Sequence, residues 1–338
     1  MSHWPIIGHT WAVELLQRAI ANNQLSHAYL FTGPEGVGKT TLGVTFAQAL
    51  LCKEENAPCG QCPTCRRIAA GVHPDVWLVE PEGNLIRVEQ IREVVREASR
   101  RPLEATHRVF ILSHMERAHP AAANALLKTL EEPAAHVVLI LTAPSEDVIL
   151  PTLTSRCQVL HLRPVAEEVL EHALRERWQM DPKRAHLLAR LSGGRPGWAV
   201  RAQEDAHYWQ LRDDLFEMVA AFAQNGSRWV RLEMAEKWAK LDISDVQQRL
   251  HMLERILRDI LIAQAGQRNA LRHVDKGEII EVWATELAQD DVQGALRQAL
   301  VTERHLKANV NKRLALDVLF LHMPAVRKQI QQPSTTTS

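Results

Sequence analysis

The sequence predicts an α/β domain built on a parallel sheet, followed by domains made of helices. Early in the chain, short apolar runs alternate with longer segments that carry apolar residues at helical spacing. The apolar runs are Tyr29–Thr32, Val109–Leu112 and Val137–Thr142, and the helical segments include Thr10–Asn22 and Thr40–Leu51. From Asp205 to Gln331 there is almost no strand signal. Four segments there have helical spacing, namely Leu211–Phe222, Val246–Gln264, Gly277–Ala288 and Leu314–Met323.

These patterns divide the chain into three domains and a tail. Residues 1–165 form the α/β domain, and residues 166–204 form a small helical domain that contains the turn Gly193–Gly197. Residues 205–331 form a larger helical domain, whose aromatic and leucine stripes we expect in its core or in a subunit interface. The polar residues 332–338 are expected to be disordered.

The composition is that of a globular protein. Among 338 residues, 46% are hydrophobic and 24% charged, which fits neither a disordered chain nor a membrane protein. Lys plus Arg equals Asp plus Glu at 40 each, so any contact with nucleic acid must be local or shared with partners. Met1–Pro5 lacks a signal-peptide pattern, and no apolar run reaches the about 18 residues that span a bilayer. We therefore expect a cytoplasmic protein without membrane contact.

A glycine-rich segment follows the first apolar run and opens a helix. Gly33–Thr40 matches the pattern G-x-x-x-x-G-K-[ST], in which backbone N–H groups and a helix N-terminus cradle phosphate. Lys39 would reach the terminal phosphates of ATP, and the Thr40 hydroxyl would complete a Mg²⁺ shell. The alternative is a turn that only packs. The predicted nucleotide-binding residues are Gly33, Pro34, Glu35, Gly36, Val37, Gly38, Lys39, Thr40 and Thr41.

The strand expected to carry the acidic residues of a hydrolysing site lacks them. A P-loop ATPase usually places an acid after a later apolar strand to hold Mg²⁺, often with a Glu beside it that polarises water. Here Ser113 and His114 follow Val109–Leu112. Glu116 lies further along, where it is better interpreted as a residue that starts a helix. The sequence thus predicts nucleotide binding with weak or absent ATP hydrolysis.

Four of the five cysteines are clustered. Cys52, Cys59, Cys62 and Cys65 have the spacing C-x6-C-x2-C-x2-C, which brings thiolates together around one tetrahedral ion. Pro58, Gly60 and Pro63 supply turns between them. A site closed by four thiolates is structural, because no position is left for water or substrate. The prediction is structural zinc, although an iron–sulfur cluster also takes four thiolates.

Several segments resemble the bacterial clamp-loader ATPases. The most distinctive are Asn124–Pro133 (NALLKTLEEP) and Thr154–Cys157 (TSRC). Further similar segments are Ile7–His9, Ser26–Phe31, the cysteine cluster, Leu191–Gly197, Leu257–Leu261 and Asn311–Met323. The resemblance implies a RecA-like AAA+ core with the zinc knuckle inserted after the phosphate-loop helix, a small helical lid, and a C-terminal helical collar that holds subunits together.

The resemblance also implies a role in replication. In that family the gamma/tau motor subunits keep an Asp-Glu pair after the apolar strand, whereas the delta-prime class commonly loses it, and Ser113-His114 resembles the latter. The motor's nucleotide-sensing arginine aligns with Gly197. The implied partners are gamma/tau and delta subunits of DNA polymerase III, the sliding clamp, and primed DNA through the assembled complex.

Two more roles are implied by the resemblance alone. Arg156 matches the arginine finger that reaches a neighbouring subunit's ATP, where a guanidinium neutralises charge on the transferred phosphoryl group. A surface arginine closing a turn is the alternative. Asn124–Pro133 is implied to face a subunit or DNA, while its pattern alone fits a packing helix with Leu126, Leu127 and Leu130 buried and Lys128 outward.

Two other interpretations remain open at this point. The chain could be an active gamma/tau-type motor, against which the residues Ser113 and His114 count. It could instead be an unrelated P-loop NTPase with a structural zinc site. Robust DNA-stimulated ATP turnover by the isolated chain would favour the motor, and turnover on an unrelated substrate would favour the independent enzyme. A delta-prime subunit should be nearly silent alone.

Overall fold

A computed structural model describes residues 4–224, 227–308 and 310–326. The chain divides into two compact units between Arg201 and Ala202. The predicted disordered tail, residues 332–338, lies outside the described residues.

The first unit contains a parallel sheet of five strands. The strands are β1 (Ala28–Thr32), β2 (Val76–Val79), β3 (Arg108–Leu112), β4 (Val137–Ala143) and β5 (Gln158–His161). Their order across the sheet is β2-β3-β4-β1-β5, and every neighbouring pair is parallel. The predicted α/β class is therefore confirmed. The central strands β1, β3 and β4 are buried along their whole length, which is why they read as continuous apolar runs.

Helices cover both faces of this sheet and continue past its last strand. They are α1 (Thr10–Ala21), α2 (Lys39–Leu51), α3 (Pro63–Ala69), α4 (Val88–Ala98), α5 (Pro120–Glu131), α6 (Pro151–Thr154), α7 (Glu167–Trp178), α8 (Pro182–Ser192) and α9 (Pro196–Glu204). Alternate residues of one strand enter different cores, since side chains alternate along a strand. Leu30 packs in one core cluster with α4 and α5, whereas Phe31 packs in the other with α1 and α2.

All regular elements in the described part of the second unit are helices, as predicted. Its helices are α10 (Ala206–Gln224), α11 (Arg228–Ala239), α12 (Ile243–Gln264), α13 (Gly277–Glu286), α14 (Gln289–Lys307) and α15 (Lys312–Leu321). Aromatic rings fill its core, where Phe320 meets Phe222 and Trp238 with ring centroids 5.8 and 4.9 Å apart. In the described part of the chain, no helix is both long and apolar enough to cross a membrane.

The element bounds differ from the sequence prediction mainly by omission. Strands β2 and β5 and helices α4, α11 and α14 were not predicted, because they are short or strongly charged. The division of the first unit into a sheet domain and a separate lid stays a prediction.

Candidate functional site

The glycine-rich segment forms a tight loop between β1 and α2. Gly33, Gly36 and Gly38 have φ angles of 143°, 78° and 110°, in the region that favours glycine. A Cβ atom on Gly33 would lie 2.2 Å from the carbonyl oxygen of Leu162, so no side chain fits there. Helix α2 begins at Lys39, and the N–H groups of its first turn have no partner within the helix. The loop and this helix end together offer N–H donors to an anion.

Lys39 is held inside the loop. Its Nζ donates to the carbonyl oxygens of Gly33 and Pro34, at 2.6 and 3.0 Å, and the side chain is buried. Burial lowers the pKa of Lys39, and the negative charges of Glu116 and then Glu35 oppose that shift. The lysine is thus positioned as a cation within the loop that would receive a phosphate.

Position 113 directly faces the loop. Ser113 follows β3, is buried, and places its Oγ 3.2 Å from the Oγ1 of Thr40. The residue that should carry the acid is therefore in the expected place, but it offers a neutral hydroxyl. Two hydroxyls cannot balance the charge of Mg²⁺ as a carboxylate does.

Glu116 makes a contact that no local sequence pattern indicates. It lies in a single 3-10 turn, Met115–Arg117, where its Oε1 is 3.1 Å from the Nδ1 of His114. Its Oε2 is buried and has no hydrogen-bond partner among the described residues. Its charge acts on Lys39 more strongly than that of Glu35. The sequence placed Glu116 at a helix start, but it could not show that the charge of this carboxylate influences Lys39.

A cavity of about 240 Å³ lies beside the loop within the first unit. Its walls are mostly apolar and come from the N-terminal segment, the loop and helices α7 and α9. Ile6, Gly38, Thr41, Trp178 and Val200 are among the lining residues. A mostly apolar pocket with a few polar groups is typical of small-ligand sites, and its position suits a flat base attached to a phosphate chain.

Helix α9 contacts the loop through its backbone. The N–H of Gly197 donates to the carbonyl oxygen of Gly36 at 2.8 Å. The resemblance aligned the nucleotide-sensing arginine of the motor subunits with Gly197, which has no side chain to present a cation. One turn further along, Arg201 lies 3.8 Å from Glu35, with both side chains mostly exposed.

Arg156 lies far from the loop in sequence, just after α6. Its Nη2 donates to Oε1 of Glu131 at 2.8 Å, and its Nη1 donates to the carbonyl oxygen of Thr152 at 2.8 Å. Nη1 also donates to the Oγ of Ser155 at 3.3 Å. The side chain is 35% exposed. Helix α5, which carries Glu131, buries Leu126 and Leu130 and exposes Lys128 as predicted, whereas Leu127 is only partly buried.

The four clustered cysteines converge, as their spacing predicts. Their Sγ atoms all lie within 4.8 Å of one another, and the separations are 3.9 Å for Cys52 and Cys62 and 4.0 Å for Cys59 and Cys65. Thiolates around a tetrahedral ion at about 2.3 Å lie about 3.8 Å apart, so this set fits such an ion. The cluster can therefore hold a metal ion.

The local backbone supports the same geometry. Cys52 caps α2, and Cys62 caps α3 by accepting the N–H of Cys65 at 3.4 Å. The N–H of Cys62 donates to the Sγ of Cys59 at 3.3 Å. Backbone donors lower the pKa of Cys59 to about 7, whereas burial raises the pKa of Cys65 to about 12. A bound cation favours the thiolate form of all four groups.

Sequence comparison places this chain in one family. A profile described as "DNA polymerase III, delta subunit" matches residues 8–166, and one for "DNA polymerase III, delta subunit, C terminal" matches residues 206–323. The DNA polymerase III subunit delta' of Bacillus subtilis is 31% identical over 91% of this chain and 94% of its own length. The chain belongs to the DNA polymerase III delta-prime family.

A second delta-prime protein and a solved structure are similar over most of this chain. The Escherichia coli K12 subunit delta' is 28% identical over 93% of this chain and 95% of its own length. A solved gamma subunit-related protein of Thermotoga maritima covers 92% of this chain and 99% of its own, at 17% identity and a TM-score of 0.46. The delta-prime assignment rests on the sequence relatives, and it agrees with the class that the resemblance of Ser113-His114 indicated.

Two further features of this delta-prime chain were not predicted from sequence. One is the ion pair of Arg156 with Glu131, and the other is the apolar cavity formed partly by Trp178. Each feature joins elements that are remote in the chain, so no local sequence pattern predicts the ion pair or the cavity.

Proposed function

We propose that this chain is the delta-prime subunit of a bacterial clamp loader. With gamma/tau and delta subunits it would help open the sliding clamp and load it onto primed DNA. Support comes from similarity over more than nine-tenths of this chain to proteins named DNA polymerase III subunit delta', and from the clamp-loader segments in the sequence. The neutral net charge supports contact with DNA through the assembled complex rather than by this chain alone.

The observation that carries this proposal is the contact between Thr40 and Ser113. A loop shaped for phosphates faces a hydroxyl where a hydrolysing site needs a carboxylate. ATP with Mg²⁺ would be held by the loop N–H groups, Lys39 and Thr40, with the base in the neighbouring cavity. Because hydrolysis would be slow, this subunit would act mainly as a scaffold.

Arg156 would serve the active site of a neighbouring motor subunit. Its guanidinium is partly exposed and always charged, and an arginine supplied across an interface is worth about 10³–10⁵ in phosphoryl-transfer rate. This role is compatible with a chain whose own site is poorly equipped for hydrolysis.

The four cysteines would bind structural zinc. The donor set is all sulfur, closed and tied to the helices on both sides, which suits an ion that stabilises a fold. Gln48 of α2 donates to the carbonyl oxygen of Cys65 at 2.9 Å and joins the knuckle to the sheet domain.

The proposal is tested by reconstitution. The purified chain should join gamma/tau and delta subunits of the same source in one complex on size exclusion, and by itself it should show almost no ATP turnover with primed DNA. Arg156→Ala should assemble normally but reduce turnover of the complex severely. Brisk DNA-stimulated hydrolysis by the isolated chain would instead identify a motor, and failure to assemble would overturn the proposal.

A further inference from the structure

Arg156, just after α6, forms an ion pair with Glu131 at the end of α5. We propose that Glu131 is a positioning residue, which aims the Arg156 guanidinium toward a neighbouring subunit. The inference rests on the proposed finger role of Arg156 and extends it to a second side chain.

The backbones on both sides of this pair are anchored. Leu130, next to Glu131, and Leu153, three residues before Arg156, are buried in one core cluster. Cys157, which follows Arg156, packs against the same cluster. Helix α5 and the short helix α6 are therefore fixed relative to each other, and the direction of the long arginine side chain depends on its own contacts.

Those contacts leave part of the guanidinium available. Arginine has five N–H donors, and Glu131, Thr152 and Ser155 use three of them. Two donors remain on a side chain that is 35% exposed. Two donors held in a rigid plane are what a bidentate contact with a phosphate requires.

Of the three acceptors, Glu131 is the one that provides charge from another element. Thr152 and Ser155 belong to the same turn as Arg156 and offer only neutral oxygen acceptors. Glu131 is also the last residue of α5, where the helix dipole disfavours a carboxylate. Local helix stability therefore does not account for an acid here, whereas pairing with Arg156 does.

The adjacent Glu132 supplies a matched control. It is exposed, has the same charge, and makes no side-chain hydrogen bond or ion pair within the described ranges. Neither Glu131, which is 50% exposed, nor Glu132 contributes to the core, so both alanine variants should fold.

The experiment uses the complex reconstituted with gamma/tau and delta subunits, and it measures clamp- and DNA-stimulated ATP turnover. Glu131→Ala should lower kcat about 3- to 10-fold with unchanged KM, because misplacing a catalytic group by about 1 Å costs up to roughly 100-fold and two of the three contacts persist. Glu131→Gln, which keeps an acceptor oxygen, should fall between wild type and Glu131→Ala. Glu132→Ala should resemble wild type.

A double variant separates positioning from a structural effect. In an Arg156→Ala background, Glu131→Ala should have no further effect on kcat, since its target is gone. A further loss of kcat in the double variant would overturn the inference. So would a Glu131→Ala rate that equals the Glu132→Ala rate or exceeds the wild-type rate. If Arg156→Ala itself had no effect while the complex assembled, the finger role in the proposed function would fail first, and this inference with it.

Discussion

The hydroxyl oxygens of Thr40 and Ser113 lie 3.2 Å apart, although the two residues are 73 positions apart in the chain. Thr40 belongs to the phosphate loop and Ser113 ends the strand that should carry an acid. The position where a carboxylate is missing therefore lies directly opposite the intact loop. This arrangement gives a physical reason for separating nucleotide binding from hydrolysis in this chain.

Restoring an acid at position 113 should strengthen Mg²⁺-dependent nucleotide binding. In Ser113→Asp, a carboxylate beside Thr40 supplies the missing hard ligand, and we expect about 10-fold higher affinity for ATP with Mg²⁺, or about 1.4 kcal/mol. Calorimetry with Mg²⁺ and with EDTA measures the difference. Ser113→Asn, of equal size but neutral, is the control, and an equal gain in both variants would contradict the role of charge.

Removing the loop lysine should abolish most nucleotide binding without unfolding the chain. Lys39→Met keeps a long side chain but loses the charge-assisted hydrogen bonds to phosphate, worth about 1.5–3 kcal/mol, or roughly 10- to 150-fold in Kd. Fluorescent ATP titration measures this loss. Lys53→Met, outside the loop, should bind as the wild type does. Unchanged binding by Lys39→Met would show that the loop holds no phosphate.

Loss of one clustered cysteine should release the metal. Cys62→Ser removes a sulfur ligand but keeps a side-chain oxygen that can cap α3, so we expect the zinc content to fall from about one equivalent toward zero, with a lower Tm because the metal is lost. Native mass spectrometry and elemental analysis measure the metal. Cys157→Ser is the matched control, because burial raises the pKa of Cys157 to about 12 and it lies outside the cluster. Iron in the native protein would contradict zinc but not the site.

The second unit should lose stability in mild acid through His273. Its Nδ1 is 2.8 Å from Oδ2 of the buried Asp259, yet burial lowers the pKa of His273 below its ordinary 6.5, an effect that Asp259 partly opposes. The folded state then binds fewer protons than the unfolded state. The stabilisation is present above pH 6.5 and is lost as the pH falls from there toward the lower folded-state value.

Between pH 6.5 and the lower folded-state pKa of His273, the free energy of unfolding should therefore fall by up to about 1.4 kcal/mol for each unit that the pH decreases. His273→Asn keeps a donor near Nδ1 but cannot titrate, so its slope should be shallower than that of the wild type. Denaturant unfolding at several pH values, followed by tryptophan fluorescence, measures both slopes. The exposed His305→Gln should retain the wild-type slope, and an unchanged slope in His273→Asn would refute the assignment.

Much of the candidate site could be predicted because its signals are local. The phosphate loop is a continuous segment whose glycines are required by its backbone, and the cysteine spacing brings four sulfur atoms together within one turn region. The apolar strands were also recognisable, since strands buried on both faces exclude polar residues. By contrast, β5 is partly exposed and short, so its apolar residues do not form a run.

The sequence by itself determined the fold class, the phosphate loop, the sulfur ligands and the absence of an acid at position 113, because each depends on residues close together in the chain. Only the tertiary structure decided that Ser113 faces Thr40, that Glu116 acts on Lys39, and that Glu131 holds Arg156. These pairs lie on different elements, and their approach is decided by how the sheet orders its strands and how the helices pack on it. Such contacts depend on the whole buried core, which no local pattern contains.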